Sequence, residues 1–94
     1  MRPDIPVGVQ SAQITHAAGE SSPGNLPSGT YAVVLTADVS NLLKIEQILK
    51  DAHIPFSAIR ENGGDWDGEL MAIGVAPDRK NKLRRYFSSL PLLR

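Results

Sequence analysis

The chain has no cysteine, which excludes a disulfide framework, a thiolate metal site and a cysteine nucleophile together. No stretch approaches the roughly 20 consecutive apolar residues that a membrane-spanning helix needs. The opening Met1-Arg2-Pro3-Asp4 also lacks the apolar core of a signal peptide. A cytoplasmic protein with no membrane attachment is the expectation. Also missing are a phosphate-binding glycine loop, a nucleophile elbow and any histidine-carboxylate spacing suited to a metal. The residues thus point to a protein working without metal, nucleotide or other cofactor.

What is there fits one small folded unit. The 94 residues hold one domain, 1–94, with one modest core, and 41% apolar content is ordinary for a globular chain. Ten basic and ten acidic residues cancel, but six of the basic ones fall between Arg79 and Arg94. Four acids, Glu61, Asp65, Asp67 and Glu69, crowd the stretch before them. The chain is therefore read as a dipole whose cationic C-terminal element can meet a polyanion despite zero net charge.

Along the chain, Val7 to Ala18 reads as a helix, and the Gly-, Ser- and Pro-rich stretch from Gly19 to Gly29 as a loop. The run Tyr31-Ala32-Val33-Val34-Leu35-Thr36 fits a strand buried on both faces, as in parallel sheets. A second helix follows, capped by Asp38 or Ser40, with Leu42, Ile45, Leu49 and Ala52 along one face. His53-Ile54-Pro55 ends it, because proline disfavours helical geometry in the residue before it. Phe56 to Arg60 alternates as a strand, Asn62-Gly63-Gly64 supplies a turn, and Leu70 to Val75 is a further strand that can close a hairpin. Ala76-Pro77-Asp78 opens a last helix with Leu83, Tyr86, Phe87 and Leu90 as its apolar stripe, stopped by Pro91. The strand-helix-strand unit calls for a right-handed crossover with helices on both sheet faces. The fold class expected is α/β, a three-layer α/β/α sandwich with a small mixed sheet of three visible strands.

Three groups of residues can carry chemistry. Gln13 and His16, three apart, share a helix face among the small residues Ser11, Ala12, Ala17 and Ala18. Those small neighbours admit a ligand, or they mark tight packing of helix on sheet. Arg60-Glu61-Asn62-Gly63-Gly64-Asp65 closes a strand, where open α/β sheets place their ligands. It is equally a solvated turn, since Asn, Gly and Asp favour turns for backbone reasons. The basic helix with Arg79, Lys80 and Lys82 can contact phosphates, or be a solvated face. Its Tyr86 and Phe87 follow the apolar stripe and so belong to the core rather than to base stacking. Trp66 is a contact residue or a lid over the sheet, and the helix dipole suffices to explain His53.

Together these pieces resemble the type 2 peptidyl-tRNA hydrolase family. Arg2-x-Asp4-Ile5, then Gly8, then Ala12-Gln13-x-x-His16-Ala17-Ala18 is similar to the family's opening signature. Val33-Val34-Leu35, Ile59-Arg60-Glu61, Ala72-Ile73-Gly74-x-Ala76-Pro77 and Leu90-Pro91-Leu92-Leu93 follow in the family's order. The resemblance implies hydrolysis of the ester joining a peptide to tRNA, on a three-layer fold with a mixed four-stranded sheet. It places His16, Gln13 and Glu61 in the catalytic site, with His16 or Glu61 activating water. Polar groups of the Glu61-Asn62-Gly63 turn and nearby amides would then stabilise the oxyanion. Asn62, Gly63, Asp65, Arg79, Lys80 and Lys82 are the substrate-binding candidates, and peptidyl-tRNA or tRNA is the partner.

The sequence departs from the family's pattern in four places. The family's functional lysine falls at Val9, which can neither donate a proton nor hold a phosphate. Asp65 stands roughly where the family has a threonine, and the loop before the last strand is shorter. The strand that family members carry immediately before the arginine matched by Arg2 is not seen. It lies upstream of Met1, or another chain completes the edge, or the sheet keeps three strands. An open edge invites association, so a homodimer is expected. The alternative to an enzyme is an inactive family member that binds tRNA or protein, and a structural protein with a merely solvated basic helix is a third reading.

Overall fold

In the computed structural model the chain is described for residues 1–24, 28 and 33–92, with the side chains of Lys80 and Asn81 excepted. Tyr31 and Ala32 of the expected first strand, part of the Gly19–Gly29 loop, the Lys80 side chain and Leu93 fall outside the described residues. The elements are α1 (Val7–Ser21), α2 (Val39–Asp51), β1 (Phe56–Arg60), β2 (Leu70–Val75) and α3 (Lys80–Phe87), with a 3-10 turn at Gly64–Trp66. The domain is α/β, as expected.

β1 and β2 pair antiparallel as a two-stranded sheet, with Phe56 opposite Val75 and Ile59 opposite Ala72. Arg60 then pairs with Leu70, so Met71 is an extra residue on β2, a bulge. The hairpin is buried on both sides. Ile59, Met71 and Ala72 join Met1, Ile5 and Ala17 in one apolar cluster. Leu70, with Phe56, Ala58, Ile73 and Val75 beside it, joins Leu42, Ile45, Leu49 and Ile54 in the other. Leu83, Tyr86, Phe87 and Leu90 from α3 and its C-terminal end pack on this second cluster, as their stripe predicts.

The expected strand over 31–36 is not formed within residues 33–36: Leu35 makes a single antiparallel bridge to Leu92. Val33 is 65% exposed, so the reading of a strand buried on both faces does not hold there. A ladder needs successive partners, and among the described residues those on one side come from Met1 alone. Leu35 accepts from the Met1 amino group at 3.0 Å, and the Ala37 N–H donates to the Met1 carbonyl at 3.2 Å.

Local chemistry explains the helix ends. The Asp38 side chain accepts from the Asn41 N–H at 2.9 Å, capping α2. At the other end His53 has φ 56°, its N–H donates to the Lys50 carbonyl, and the Ile54 N–H donates to the Leu49 carbonyl. That is a Schellman closure, with Ile54 and Leu49 in apolar contact and a histidine where glycine is usual. α1 continues three residues past Ala18, and the Ser21 hydroxyl donates back to the Ala17 carbonyl at 2.7 Å. α3 begins later than Ala76-Pro77-Asp78 suggests, because the Ala76 N–H still donates to the Pro55 carbonyl at 3.1 Å in the register of the hairpin.

Glu46 sits in the buried stripe of α2 and receives both Arg60 Nη groups, at 2.8 and 2.7 Å. The hydrogen bonds from Arg60 hold its carboxyl below the usual glutamate range. A carboxyl whose folded value is lowered contributes stability above its unfolded value, and that contribution fades as pH falls through the folded one. Glu46→Gln is therefore expected to lower stability by about 1 kcal/mol near neutral pH. The gap between variant and native chain should close on acidification through the glutamate range. Thermal melts of both proteins across a pH series check this, and a gap constant with pH counts against it.

Candidate functional site

The buried residues of α1 are Gln10, Gln13 and Ala17, spaced three and four apart, so the inward face of this helix carries two amides. The Gln10 Nε2 donates to the Ile5 carbonyl at 3.0 Å and to the Pro3 carbonyl at 3.3 Å, pinning the N-terminal segment to the helix. One turn on, the Gln13 Nε2 donates to Glu61 Oε2 at 2.8 Å, across 48 residues of chain. Two candidates named from separate motifs are thus in contact, where α1 crosses the end of β1. His16 lies on the same helix with its side chain exposed, and no hydrogen bond to its imidazole is found among the described residues.

Glu61 is the anchor of the turn. Its N–H donates to the Glu69 carbonyl at 3.1 Å, its carbonyl accepts from Gly68 at 2.8 Å, and its Oε1 accepts from the Asn62 N–H at 3.2 Å. The Gly63 N–H is bonded to Asp67 Oδ1 at 2.6 Å. The N–H groups of Asn62 and Gly63 are thus engaged inside the turn, which leaves its side chains and neighbouring amides as the polar groups expected to face an oxyanion. The positive φ of Gly63, 91°, and of Gly64, 73°, explains the glycine pair, since side-chain-bearing residues rarely take that geometry. Asp65 is exposed within the 3-10 turn, and Trp66 packs half-buried on the first cluster.

The basic candidates lie apart from this pair, on the element that packs on the second cluster. Arg79 is the N-terminal flanking residue of α3 and is exposed. Lys82 reaches Asp78 Oδ2 at 2.9 Å, one helical turn away. The guanidinium of Arg85 lies 4.9 Å from the Tyr86 ring centroid and donates to its hydroxyl. Val9, at the position of the family's lysine, is half-buried against the first cluster. Among the described residues no group of three or more His, Asp and Glu side chains is placed to hold a metal ion, and no helix is long and apolar enough to cross a membrane.

Two ionic contacts, each with one buried partner, were not singled out from the sequence. Glu46 carries its own signal, an acid in the stripe Leu42, Ile45, Leu49. The contact of Arg2 with Asp4 and Glu69 carries half of one, since Arg2-x-Asp4 is a local pair and Glu69 joins only through the fold.

Fold and site together define a small α/β domain with a carboxamide-carboxylate pair at the junction of helix and hairpin. No protein-family model matches the chain, and no curated protein is significantly similar to it.

Proposed function

We propose that this domain is a divergent peptidyl-tRNA hydrolase-like protein that cleaves the ester between peptide and tRNA. The observation that carries the reading is the 2.8 Å hydrogen bond from Gln13 Nε2 to Glu61 Oε2. It joins two residues that the family resemblance assigns to one site. In this reading the fold is a three-layer α/β/α arrangement with a small mixed sheet, α1 on one side of the hairpin and α2 and α3 on the other. Both Glu61 oxygens accept N–H donors, so Glu61 positions Gln13, and the unengaged imidazole of His16 takes the proton from the attacking water. The exposed side chain of Asn62 and the Asp65 turn border the substrate, and the cations at the start of α3, Arg79 and Lys82, meet tRNA phosphates.

The test is release of a labelled peptide from peptidyl-tRNA by the purified chain. His16→Ala is expected to slow release by about 100-fold or more while leaving the far-ultraviolet spectrum and tRNA binding unchanged. Undiminished release removes His16 from the mechanism. Val9, packed against apolar neighbours where the family carries a functional lysine, favours a second reading, a binding module without turnover. That reading requires no release by the native chain, with tRNA association that weakens steeply as salt rises.

A further inference from the structure

Of the chain's four asparagines only Asn62 precedes a glycine; Asn25 and Asn41 precede leucine, and Asn81 precedes lysine. The side-chain amide of an asparagine can be attacked by the main-chain nitrogen of the next residue, and a glycine there leaves the approach unshielded. At Gly63 the position of a Cβ has no neighbour within 4 Å, and Asn62 and Gly63 are both exposed. The nitrogens that follow Asn41 and Asn81 are tied into helices. The Leu42 N–H donates to the Asp38 carbonyl at 2.9 Å, and the Lys82 N–H to the Arg79 carbonyl at 3.0 Å.

The Gly63 N–H donates instead to a base, Asp67 Oδ1, at 2.6 Å. The positive φ of Gly63 and Gly64 and the 3-10 turn over Gly64–Trp66 bring that carboxylate back, and the Asp67 N–H closes the turn on the Gly64 carbonyl at 3.4 Å. The N–H bond lies in the peptide plane, whereas attack on Asn62 Cγ comes from the face of that plane. Asp67 can therefore take the proton without standing in the way of ring closure. The Asn62 main chain is fixed by its N–H bond to Glu61 Oε1 at 3.2 Å, and its side chain makes no hydrogen bond among the described residues.

We propose that Asn62 is a self-modification site, at which Asp67 is the general base for closure of Asn62 and Gly63 into a succinimide that water opens to aspartate or isoaspartate. Asp67 takes the Gly63 proton, and the nitrogen forms a bond to Asn62 Cγ. The bond from Cγ to Nδ2 breaks, and Nδ2 leaves as ammonia with the proton that Asp67 held, which regenerates the carboxylate. One water then adds to the imide, at Cγ to give aspartate or at the main-chain carbonyl carbon to give isoaspartate. Either product sets a new carboxylate beside Glu61, whose oxygens accept from the Asn62 N–H and from Gln13 Nε2. Isoaspartate also inserts a carbon into the main chain, inside the loop that the Gly68 N–H closes on the Glu61 carbonyl at 2.8 Å. The turn thus ages toward a more negative, wider form at the edge of the Gln13–Glu61 contact. The proposal is independent of the hydrolase reading.

The experiment holds the purified chain at neutral pH and body temperature over days, then cleaves it with trypsin. Cleavage after Arg60 and Arg79 releases residues 61–79, in which Asn62 is the sole side-chain amide, so a gain of about 1 Da in that peptide reports Asn62 alone. The native chain is expected to convert about tenfold faster than an Asp67→Ala chain, and about tenfold faster than the native chain unfolded in guanidinium chloride at the same pH. Alanine is used because asparagine at 67 would form a second Asn-Gly pair with Gly68. A folded Asp67→Ala chain that converts as fast as the native one, or faster, overturns the proposal, because the carboxylate then guards the amide instead of activating it. If that variant does not fold, the unfolded native chain decides, and an equal or higher rate there overturns the proposal equally. So does a native chain whose 61–79 peptide keeps its mass.

Discussion

Gly74→Ala is expected to lower stability by about 3 kcal/mol, a fall of roughly 15 °C in melting temperature for a domain of this size. A Cβ at Gly74 would overlap the carbonyl oxygen of Ala17 and lie 2.7 Å from the carbonyl carbon and 2.8 Å from Ser21 Oγ. The serine can rotate away. The carbonyl cannot, because it belongs to a helix backbone and already accepts from Ser21. Relief therefore requires α1 to lift from β2, opening the contact that buries Ala17 and drawing Gln13 away from Glu61. If the hydrolase reading holds, activity falls with stability. Gly8 lies in the same helix with open space around its Cα, so Gly8→Ala should be neutral or slightly stabilising. Urea denaturation of both variants decides the matter, and a Gly74→Ala protein as stable as the native chain would show that α1 does not sit this close.

The elements most legible in the sequence were those whose boundaries are local. Pro55 and the Asn62-Gly63-Gly64 turn bracket β1, and the observed strands Phe56–Arg60 and Leu70–Val75 match the reading residue for residue. α2 was legible for the same reason, with a capping aspartate at one end and a pre-proline stop at the other. Residues 33–36 were not, because a continuous apolar run reports a tendency to be buried, whereas a strand is made by its neighbours. Here, among the described residues, the neighbours supply one bridge at Leu92, the Thr36 N–H bond to Pro91 and two bonds shared with Met1.

The site divides along the same line. Gln13 and His16 on one helix face is a matter of spacing, and spacing is visible. That Gln13 meets Glu61 depends on the angle at which α1 crosses the hairpin, which no local pattern encodes. The engagement of the turn amides was hidden for a related reason: Asp67 closes back on Gly63 only once both glycines take positive φ. Polar residues in a turn can thus serve the turn itself, the alternative that the Asn, Gly and Asp of this segment left open.

Arg2→Ala should have an effect as large as that of Gly74→Ala, about 3 kcal/mol, from a different cause. The Arg2 side chain is 5% exposed and its fork meets two acids: Nε and Nη2 on the Asp4 carboxylate at 3.0 and 2.6 Å, and Nη1 on Glu69 at 2.8 Å. Asp4 and Glu69 are 56% and 43% exposed, so on losing Arg2 they recover water, and most of the loss comes from the buried stem and the fork geometry. Arg2→Lys keeps the charge but offers a point rather than a fork, and should restore less than half of the difference. The hydrogen bond from Arg2 holds the Asp4 carboxyl below its ordinary range. That part of the stability is present above the unfolded aspartate value and is lost as pH falls through the lowered one. Both variants should therefore lie closer to the native protein in acid than near neutral pH. Arg2 also donates its backbone N–H to the Met71 carbonyl at 3.4 Å, so loosening its side chain loosens the N-terminal residues from β2 as well. Urea titrations at two pH values measure both effects, and a lysine variant as stable as the native chain would mean that charge alone, not the fork, holds this end of the fold.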